Sequence, residues 1–244
     1  MINNQNIGIG IFAYNRPSHL RRVLISLENN KIRGATVFLD GPKNKKDILI
    51  QKEIIFTIKH NPFINLKLIK KSKNIGLARS IIWGVKYLSN KYENVIVIED
   101  DCIPRKEFFK YIVKTIKSSQ YKENLNPICG YQFPEIQKLN KKNLTPIFLN
   151  YFMPWGWCVN SNYWREYLKF LKNRKKHNLN DPIIKKIKSI IKINSKDIWS
   201  KNFIEFNLIR NKKIIFPSIS LIKNIGFDGS GVNSKITNML STKY

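Results

Sequence analysis

Three consecutive acids follow a strongly apolar run in the middle of this chain. The run covers residues 95–98, and the acids are Glu99, Asp100 and Asp101. Such a run is typical of a fully buried parallel strand, whose carboxyl end is where open α/β sheets place their ligands. Neighbouring carboxylates repel one another unless water or a cation separates them. This triplet therefore suits a hard divalent ion, which takes oxygen ligands and commonly shares them with a phosphate.

The overall charge makes this acidic triplet unusual. The 244 residues include 16 Asp and Glu against 44 Lys and Arg, which gives a formal net charge of +28. Three adjacent acids are therefore unlike an ordinary solvated face, although Asp101 could also cap a helix after Pro104. The positive charge favours nucleic acid, anionic lipid or phosphorylated small molecules as partners. A bias towards Lys, Ile and Asn along the whole chain would explain the same charge without a binding surface.

Other residue patterns argue against several common classes of protein. Cys102, Cys129 and Cys158 lack the spacing of metal ligands, and the three histidines are scattered, so we expect a reducing cytoplasm and no zinc site. No apolar stretch approaches the roughly 20 residues of a membrane-spanning helix. The N-terminal residues lack a basic region followed by an apolar segment, so we expect no secretion signal.

Strands alternate with helices through the first half of the chain. Strands are predicted over residues 7–12, 35–39, 66–69 and 95–98, and helices from Pro17, around residues 47–59, after residues 74–79 and around residues 105–117. This alternation predicts right-handed βαβ units, that is, an α/β fold with a mostly parallel sheet flanked by helices. Because parallel strands share one carboxyl edge, Asn15, Asp40 and Asp101 are expected along one rim, where a nucleotide is the usual ligand.

The second half of the sequence is less regular. Residues 150–160 are aromatic, residues 214–217 predict a strand, and the glycines of residues 226–231 indicate a mobile loop. Isoleucines alternate with lysines over residues 182–193, which predicts a basic amphipathic helix. Its isoleucines either face the core or lie on an anionic membrane surface. We find no repeat and no linker, so a single domain is expected.

The order of these motifs resembles that of nucleotide-sugar glycosyltransferases with the GT-A fold. The resemblance is nearest to the N-acetylglucosaminyltransferase I type, with the bacterial family-two enzymes behind it. Four stretches carry it: Phe12-Ala13-Tyr14-Asn15-Arg16-Pro17; Val97-Ile98-Glu99-Asp100-Asp101 with Phe108-Phe109-Lys110-Tyr111; Pro154-Trp155-Gly156-Trp157 with Trp164; and Lys196-Asp197-Ile198-Trp199 leading to Phe216-Pro217-Ser218-Ile219-Ser220 and the glycine loop.

The resemblance implies an inverting, divalent-metal-dependent glycosyltransferase. The donor would be a nucleotide sugar, with UDP as the expected nucleotide, and the acceptor a glycan or lipid-linked saccharide in bacterial surface polysaccharide synthesis. It implies one GT-A domain over residues 1–244, with a nucleotide-binding half to about residue 120 and a less regular acceptor-binding half after it. The cysteines favour the cytoplasm, and the helix at 182–193 would allow peripheral contact with the inner face of an anionic membrane.

The same resemblance assigns roles at the donor site. Asp101 would bind Mn²⁺ or Mg²⁺, which bridges the donor diphosphate. Asp100 would contact the ribose or orient the ligands around the ion, while Glu99 supports the site from the other side of the strand. Asp40 would accept from the uracil N3–H, unless the Asp40-Gly41-Pro42 sequence is a plain turn.

Two arginines and an asparagine complete the donor-site candidates. Asn15 and Arg16 follow the first strand and would line the nucleotide pocket. Arg79, near a helix start, would pair with the diphosphate, since guanidinium groups bind phosphate oxygens bidentately. A solvated surface position is the alternative for both arginines.

Asp197 is the candidate general base, because the acceptor hydroxyl must lose its proton as it attacks the anomeric carbon. The family motif has adjacent acids at this place, whereas Lys196 precedes Asp197 here. A helix cap is the alternative role for Asp197. Asp181, Glu205 and Asp228 are the alternative bases.

The acceptor side and a lid are the last predicted features. Of Trp155, Gly156 and Trp157, the glycine would allow close approach of a sugar, and one tryptophan is expected at the site with the other in the core. Residues Asp228, Gly229, Ser230 and Gly231 would close over the donor.

A basic nucleic-acid-binding module without catalytic activity is the rival hypothesis. Its support is the charge, together with aromatic residues that could stack on bases. No nucleic-acid-binding motif occurs in the sequence, and the acids would repel phosphate without a metal. Nucleic acid is therefore not the expected partner.

Overall fold

A computed structural model describes residues 6–139, 145–173 and 199–229 of the chain. Its first part consists of successive βα units. They are β1 (Ile7–Ala13), α1 (Pro17–Asn29), β2 (Gly34–Leu39), α2 (Lys45–Lys59), β3 (Asn65–Lys70), α3 (Leu77–Ser89) and β4 (Asn94–Glu99).

The second part has shorter strands. Its elements are β5 (Cys102–Pro104), α4 (Phe108–Lys117), α5 (Ser119–Asn124), β6 (Ile128–Cys129), α6 (Pro134–Leu139), β7 (Ile147–Leu149), β8 (Trp157–Asn160), α7 (Ser161–Asn173), α8 (Trp199–Ile209), β9 (Ile214–Phe216) and β10 (Ile222–Asn224).

Eight strands form one sheet in the order β3-β2-β1-β4-β8-β6-β9-β7. The first four strands are parallel to one another. β8 then runs antiparallel to both β4 and β6, and β9 pairs parallel with β6 and antiparallel with β7. β5 and β10 pair separately as a small antiparallel sheet. The parallel half follows the predicted alternation, and the antiparallel strands complete the sheet.

Apolar runs explain why β1 and β4 lie in the interior of the sheet, away from its edges. Every residue of β1 is buried, and only the last residue of β4 is partly accessible. On one side, α3 packs directly on β1, because a Cβ at Gly84 would come within 2.6 Å of the Phe12 ring. The core of the second part is aromatic. Trp157 of β8 stacks on Trp199 of α8 with ring centroids 5.2 Å apart.

One helix predicted from the sequence begins at a different residue in the structure, and another lies in a part of the chain that the structure does not describe. The helix expected from about residue 105 begins at Phe108 with Glu107 as its N-cap, since residues 102–104 form β5. Asp101 therefore does not cap this helix. The amphipathic helix expected at 182–193 lies outside the described residues. Among the residues that are described, no helix has the length and apolarity needed to cross a membrane.

Candidate functional site

The carboxyl ends of β1, β2 and β4 open into a cleft of about 900 Å³. One wall contains Asn15 and Arg16 after β1, Asp40 after β2, and the acid triplet at the end of β4. The start of α3, including Arg79, extends this wall. Residues 151–155, the beginning of α8 and Phe227 also line the cleft. The structure thus brings together all of the predicted donor-site residues at one edge of the sheet.

Arg16 forms ion pairs with both acids of the pair Asp100–Asp101. Its Nη2 atom forms an ion pair with Asp100 Oδ1 and lies 3.0 Å from Asp101 Oδ2. The side chains of Arg16, Asp100 and Asp101 are only 17%, 4% and 14% exposed, so water screens these charges poorly. The loop after β1 therefore supplies the counter-charge for the acids at the end of β4, its parallel neighbour.

Burial shifts the pKa values of this group of charges. It raises the pKa of Asp100 to about 6 against the opposing effect of Arg16, and Asp101 adds a smaller increase. Burial also raises the pKa of Glu99 well above its usual range, with repulsion from Asp101 and Asp100 adding to the effect. Burial disfavours the charge on Arg16, but Asp100 and Asp101 outweigh it and raise its pKa. The arginine therefore stays charged, while Glu99 is held towards its neutral form.

The acid pair has the donor set of a divalent-ion site. One oxygen from Asp100 and one from Asp101 face the same Nη2 atom of Arg16, so the two oxygens converge on one point. Two carboxylates, with phosphate oxygens and water as further ligands, suit Mg²⁺ or Mn²⁺. Within the described ranges, no three His, Cys, Asp or Glu side chains are grouped to enclose a metal by themselves. Asp100 and Asp101 would hold the ion, and the Arg16 guanidinium now fills that point.

Asp40 is buried and holds the loop that precedes α3. Each of its two carboxylate oxygens accepts two hydrogen bonds, a full complement for this group. The donors lie 2.8–2.9 Å away and are the backbone N–H groups of Gly41, Ile75 and Gly76 and the side-chain amide of Asn74. In this arrangement Asp40 has no acceptor position left for a uracil N3–H. The observed contacts make it a clamp for the loop, and the expected reading of the base by Asp40 stays a prediction.

Asp47 makes a second clamp that the sequence analysis missed. Its carboxylate accepts hydrogen bonds from the hydroxyl of Tyr14 and, at 3.0 Å, from the side-chain amide of Asn15. Burial opposes ionisation of Asp47, but these hydrogen bonds outweigh it and lower its pKa. The sequence contains one relevant signal, which is an Asn three residues before an Asp. The Asn44 side chain accepts a hydrogen bond from the Asp47 N–H and so caps α2. That spacing indicates a helix start but not its contact with the loop after β1.

Positive groups border the same wall of the cleft. Arg79 is exposed on the first turn of α3, and Lys43 lies with its Nζ atom 5.5 Å from the centre of the Tyr14 ring. The N-cap of α3, Gly76, has no side chain to cap the helix, so the free N–H groups of the first turn border the cleft. Cations beside a helix N-terminus attract anions such as phosphate.

The two predicted tryptophans occupy different places. Trp155 is half-buried, lines the cleft and packs edge-to-face against Tyr131 and Phe227. Trp157 is fully buried in the aromatic core and does not line the cleft. Gly156 has a φ of +60°, and a Cβ there would lie 2.3 Å from Ile222 Cδ1. Packing against β10 therefore requires this glycine, whereas we had expected it to make room for a sugar.

Residues 225–229, which we call the strap, cross the acid pair. The Ile225 N–H donates to the carbonyl oxygen of Asp101 at 2.8 Å. A Cβ on Gly226 would lie 2.2 Å from Asp101 Oδ2, so the strap sits directly on this carboxylate. Farther along, Asp228 Oδ2 lies 3.1 Å from His19 Nε2, which places this part of the strap beside α1. Gly229 follows with a φ of +86°. The predicted lid residues Ser230 and Gly231 lie outside the described residues.

The structure describes only two of the four residues that we considered as the general base. Asp197 and its alternative Asp181 lie outside the described residues, although Trp199, where the description resumes, lines the cleft. Glu205 is buried on α8 and is not among the residues lining the cleft, and Asp228 pairs with His19. Among the described residues after Asp101 that line the cleft, none carries a carboxylate.

Comparisons with known proteins find similarity at the level of the fold. No protein-family model matches the chain, and no curated protein sequence matches it. Residues 1–349 of Staphylococcus aureus TarS match with a TM-score of 0.50 and 13% identity, covering 88% of this chain and 59% of that chain. A Pyrobaculum calidifontis mannosyltransferase solved with GDP-Man and Mn²⁺ matches with a TM-score of 0.46 and 12% identity, covering 70% and 48%. Mouse xyloside xylosyltransferase 1 matches with a TM-score of 0.45 and 11% identity, covering 85% and 83%.

The similarity to TarS bears on the class of the fold. The chain is an α/β protein with a large, mostly parallel sheet flanked by helices, of the GT-A-like kind. The fold class expected from the sequence is thereby confirmed. The chain spans 48% of the mannosyltransferase chain and 59% of the TarS chain.

Proposed function

We propose that this protein is a metal-dependent glycosyltransferase that binds a nucleoside diphosphate-sugar in the cleft. The observation that carries the proposal is the convergence of Asp100 and Asp101 on one point at the carboxyl edge of the sheet. The surrounding cations and the uncapped start of α3 suit a diphosphate on the same wall. A divalent ion bound there would stabilise the negative charge of the departing nucleotide.

The nucleotide and the sugar would occupy different parts of the cleft. The diphosphate would lie near Arg16, Lys43 and Arg79, which border one wall. The sugar would then extend towards Trp155, whose flat ring suits the apolar face of a pyranose. The strap carries Phe227 against Trp155 and would help to exclude water from the reacting carbon. We retain UDP as the proposed nucleotide, on the sequence resemblance.

The proposed reaction is a direct displacement with inversion. An acceptor hydroxyl oxygen forms a bond to the anomeric carbon as the bond from that carbon to the diphosphate oxygen breaks. The hydroxyl proton passes to a carboxylate on the acceptor side, and we propose Asp197 for this role. A glycan or lipid-linked saccharide as acceptor, a part in bacterial surface polysaccharide synthesis, and a cytoplasmic location at the membrane face complete the proposal.

The decisive experiment is a binding and hydrolysis screen with a panel of nucleotide sugars. We expect Mn²⁺ together with a nucleoside diphosphate to raise the melting temperature, and the matching nucleotide sugar to be hydrolysed slowly in the presence of Mn²⁺. Asp101→Asn should abolish both effects. Asp197→Asn should keep donor binding but lose sugar transfer.

The rival function, nucleic-acid binding, is tested by measuring the affinity for single-stranded DNA and RNA over a series of salt concentrations. Steeply salt-dependent binding of these oligonucleotides, with no response to any nucleotide sugar, would refute the enzymatic proposal in favour of a nucleic-acid-binding module.

A further inference from the structure

Arg16 and a divalent ion would compete for the same two oxygens. An ion held by Asp100 and Asp101 would lie about 2.0–2.6 Å from each coordinating oxygen. The Nη2 atom of Arg16 fills this space, in contact with Asp100 Oδ1 and 3.0 Å from Asp101 Oδ2. A guanidinium and a divalent cation repel strongly at such a distance in a poorly hydrated site. The arginine side chain must therefore leave before the ion can bind.

The fold limits how Arg16 can move. Arg16 is the N-cap residue of α1, and its carbonyl oxygen accepts the Leu20 N–H at 3.1 Å, which fixes its backbone. Only its side chain is therefore free to exchange. Its Nη1 atom is buried and has no hydrogen-bond acceptor, so one end of the guanidinium is already unsatisfied beneath the strap.

Neighbouring carboxylates are already engaged, so they are poor alternatives for the displaced guanidinium. Asp40 accepts four hydrogen bonds from the loop before α3. Asp47 accepts from Tyr14, Asn15 and the backbone N–H of Lys43. Glu99 adjoins the acid pair itself, so a guanidinium there would still face the ion. A diphosphate entering the cleft would supply the missing anionic oxygens in a geometry that guanidinium binds bidentately.

We propose that Arg16 is a resident counter-ion that makes binding of the divalent ion and of the diphosphate interdependent. The guanidinium moves from Asp100 and Asp101 to the diphosphate as the ion takes its place between the carboxylates. The inference rests on the proposed function for the class of ligand and adds the coupling between the two ligands. The ion alone binds weakly, the nucleotide alone binds weakly, and the two together bind well.

The test is a Mn²⁺ titration of the full chain, followed by electron paramagnetic resonance of free Mn²⁺, with and without UDP or GDP. In the wild-type protein we expect nucleotide to tighten Mn²⁺ binding about 5- to 150-fold, the usual range of coupling between sites. Mn²⁺ must tighten nucleotide binding by the same factor. In Arg16→Gln, Mn²⁺ without nucleotide should bind at least about tenfold more tightly than to the wild type. The factor by which nucleotide tightens Mn²⁺ binding should therefore be smaller in this variant.

Two further variants make the titration specific. Arg21→Gln is the matched control, because Arg21 also lies on α1 but forms an exposed ion pair with Glu53 at 3.5 Å. It should behave as the wild type. Arg16→Lys keeps a positive charge at the site and should keep the weak binding of Mn²⁺ alone. If Arg16→Gln lowers the melting temperature, Mn²⁺ should raise that temperature more in this variant than in the wild type.

The two proposals fail separately. Mn²⁺ binding to Arg16→Gln that is no tighter than to the wild type, in the absence of nucleotide, would overturn the competition. Absence of binding by every nucleoside diphosphate and nucleotide sugar would instead overturn the proposed function and, with it, the exchange onto a diphosphate. The nucleotide-free titration reports on the competition alone.

Discussion

Asp40 accepts a hydrogen bond from the backbone N–H of Gly76 at 2.9 Å, and this contact ties the end of β2 to the start of α3. Gly76 has a φ of +81°, a conformation that glycine adopts with little strain. The position of the uncapped first turn of α3, and of Arg79 on it, therefore depends on a carboxylate in a neighbouring unit of the sheet.

Asp40→Asn should destabilise the protein even without ligand. The amide nitrogen of Asn would face N–H donors, so at least one of them loses its acceptor inside the protein. We expect the free energy of unfolding to fall by about 1–3 kcal/mol and nucleotide affinity to fall with it, measured by urea unfolding and by UDP titration. The exposed Glu53→Gln is the control and should change stability by less than about 0.5 kcal/mol. Unchanged stability with altered discrimination between UDP and GDP would show instead that Asp40 reads the base.

Gly226→Ala should disturb the strap and the acid pair together. The added Cβ would lie 2.2 Å from Asp101 Oδ2 and 3.2 Å from Arg16 Nη1, so the strap or the carboxylate has to shift. Overpacking of this kind typically costs about 1–3 kcal/mol. We expect a lower melting temperature and a smaller response to Mn²⁺ with UDP.

The comparison variant for this change is Gly34→Ala. A Cβ there would meet only the Asn65 carbonyl oxygen, at 3.8 Å. This substitution should leave the response to Mn²⁺ with UDP unchanged. An equal loss of response in both variants would mean that the strap does not act on the acid pair.

Glu99→Gln should stabilise the protein increasingly as the pH rises. In the folded protein, burial first and then repulsion from Asp101 and Asp100 raise the pKa of Glu99, against the attraction of Arg16. The folded state therefore holds this proton more tightly than the unfolded state does. The contribution of Glu99 to stability is full below its ordinary pKa of about 4.5 and is lost as the pH rises through the raised value.

Urea unfolding of both proteins over a pH series without divalent ions measures this effect. Gln cannot ionise, so the difference in unfolding free energy between Glu99→Gln and the wild type should be smallest at acidic pH and grow towards neutral pH. A difference that stays constant across the series would contradict the raised pKa.

Trp155→Ala and Trp157→Ala should separate ligand binding from folding. Trp157 is fully buried against Trp199, so its truncation should cost about 3–5 kcal/mol of stability. Trp155 is only half-buried and lines the cleft, so its truncation should cost less stability but raise the KM for the sugar donor or acceptor. Unfolding curves and nucleotide-sugar hydrolysis measure the two effects. Equal stability losses with unchanged KM values would remove Trp155 from the site.

The parallel half of the fold could be predicted because its signals are local. Each of its strands has at least six residues, and polar turn residues such as Asp40 or Asn15 follow. The second half offered no comparable signal. β6 has two residues and β8 has four, which is too short for a pattern of alternation to identify a strand or its direction. Tertiary packing decides their place in the sheet.

The sequence allowed us to predict which residues meet at the site, but not which side chains contact one another there. The carboxyl ends of β1, β2 and β4 were expected to meet, and Asn15, Asp40 and Asp101 do line one cleft. The pairing of Arg16 with Asp100 spans 84 positions in the sequence, and nothing in either residue's neighbours identifies the other. The four hydrogen bonds of Asp40 likewise depend on the path of a loop, which no sequence periodicity encodes.

The reversal of direction between β4 and β8 divides the lining of the cleft into two parts, which the strap joins. One part comes from consecutive βα units and contains the acid pair, whereas the aromatic part is assembled from residues 151–155 and the start of α8. Substitutions in the aromatic part therefore leave the hydrogen bonds around Asp40 and Asp47 intact. Under the proposed function, such an arrangement would let evolution, or a library of designed variants, change which molecule is accepted without rebuilding the part that would hold the donor.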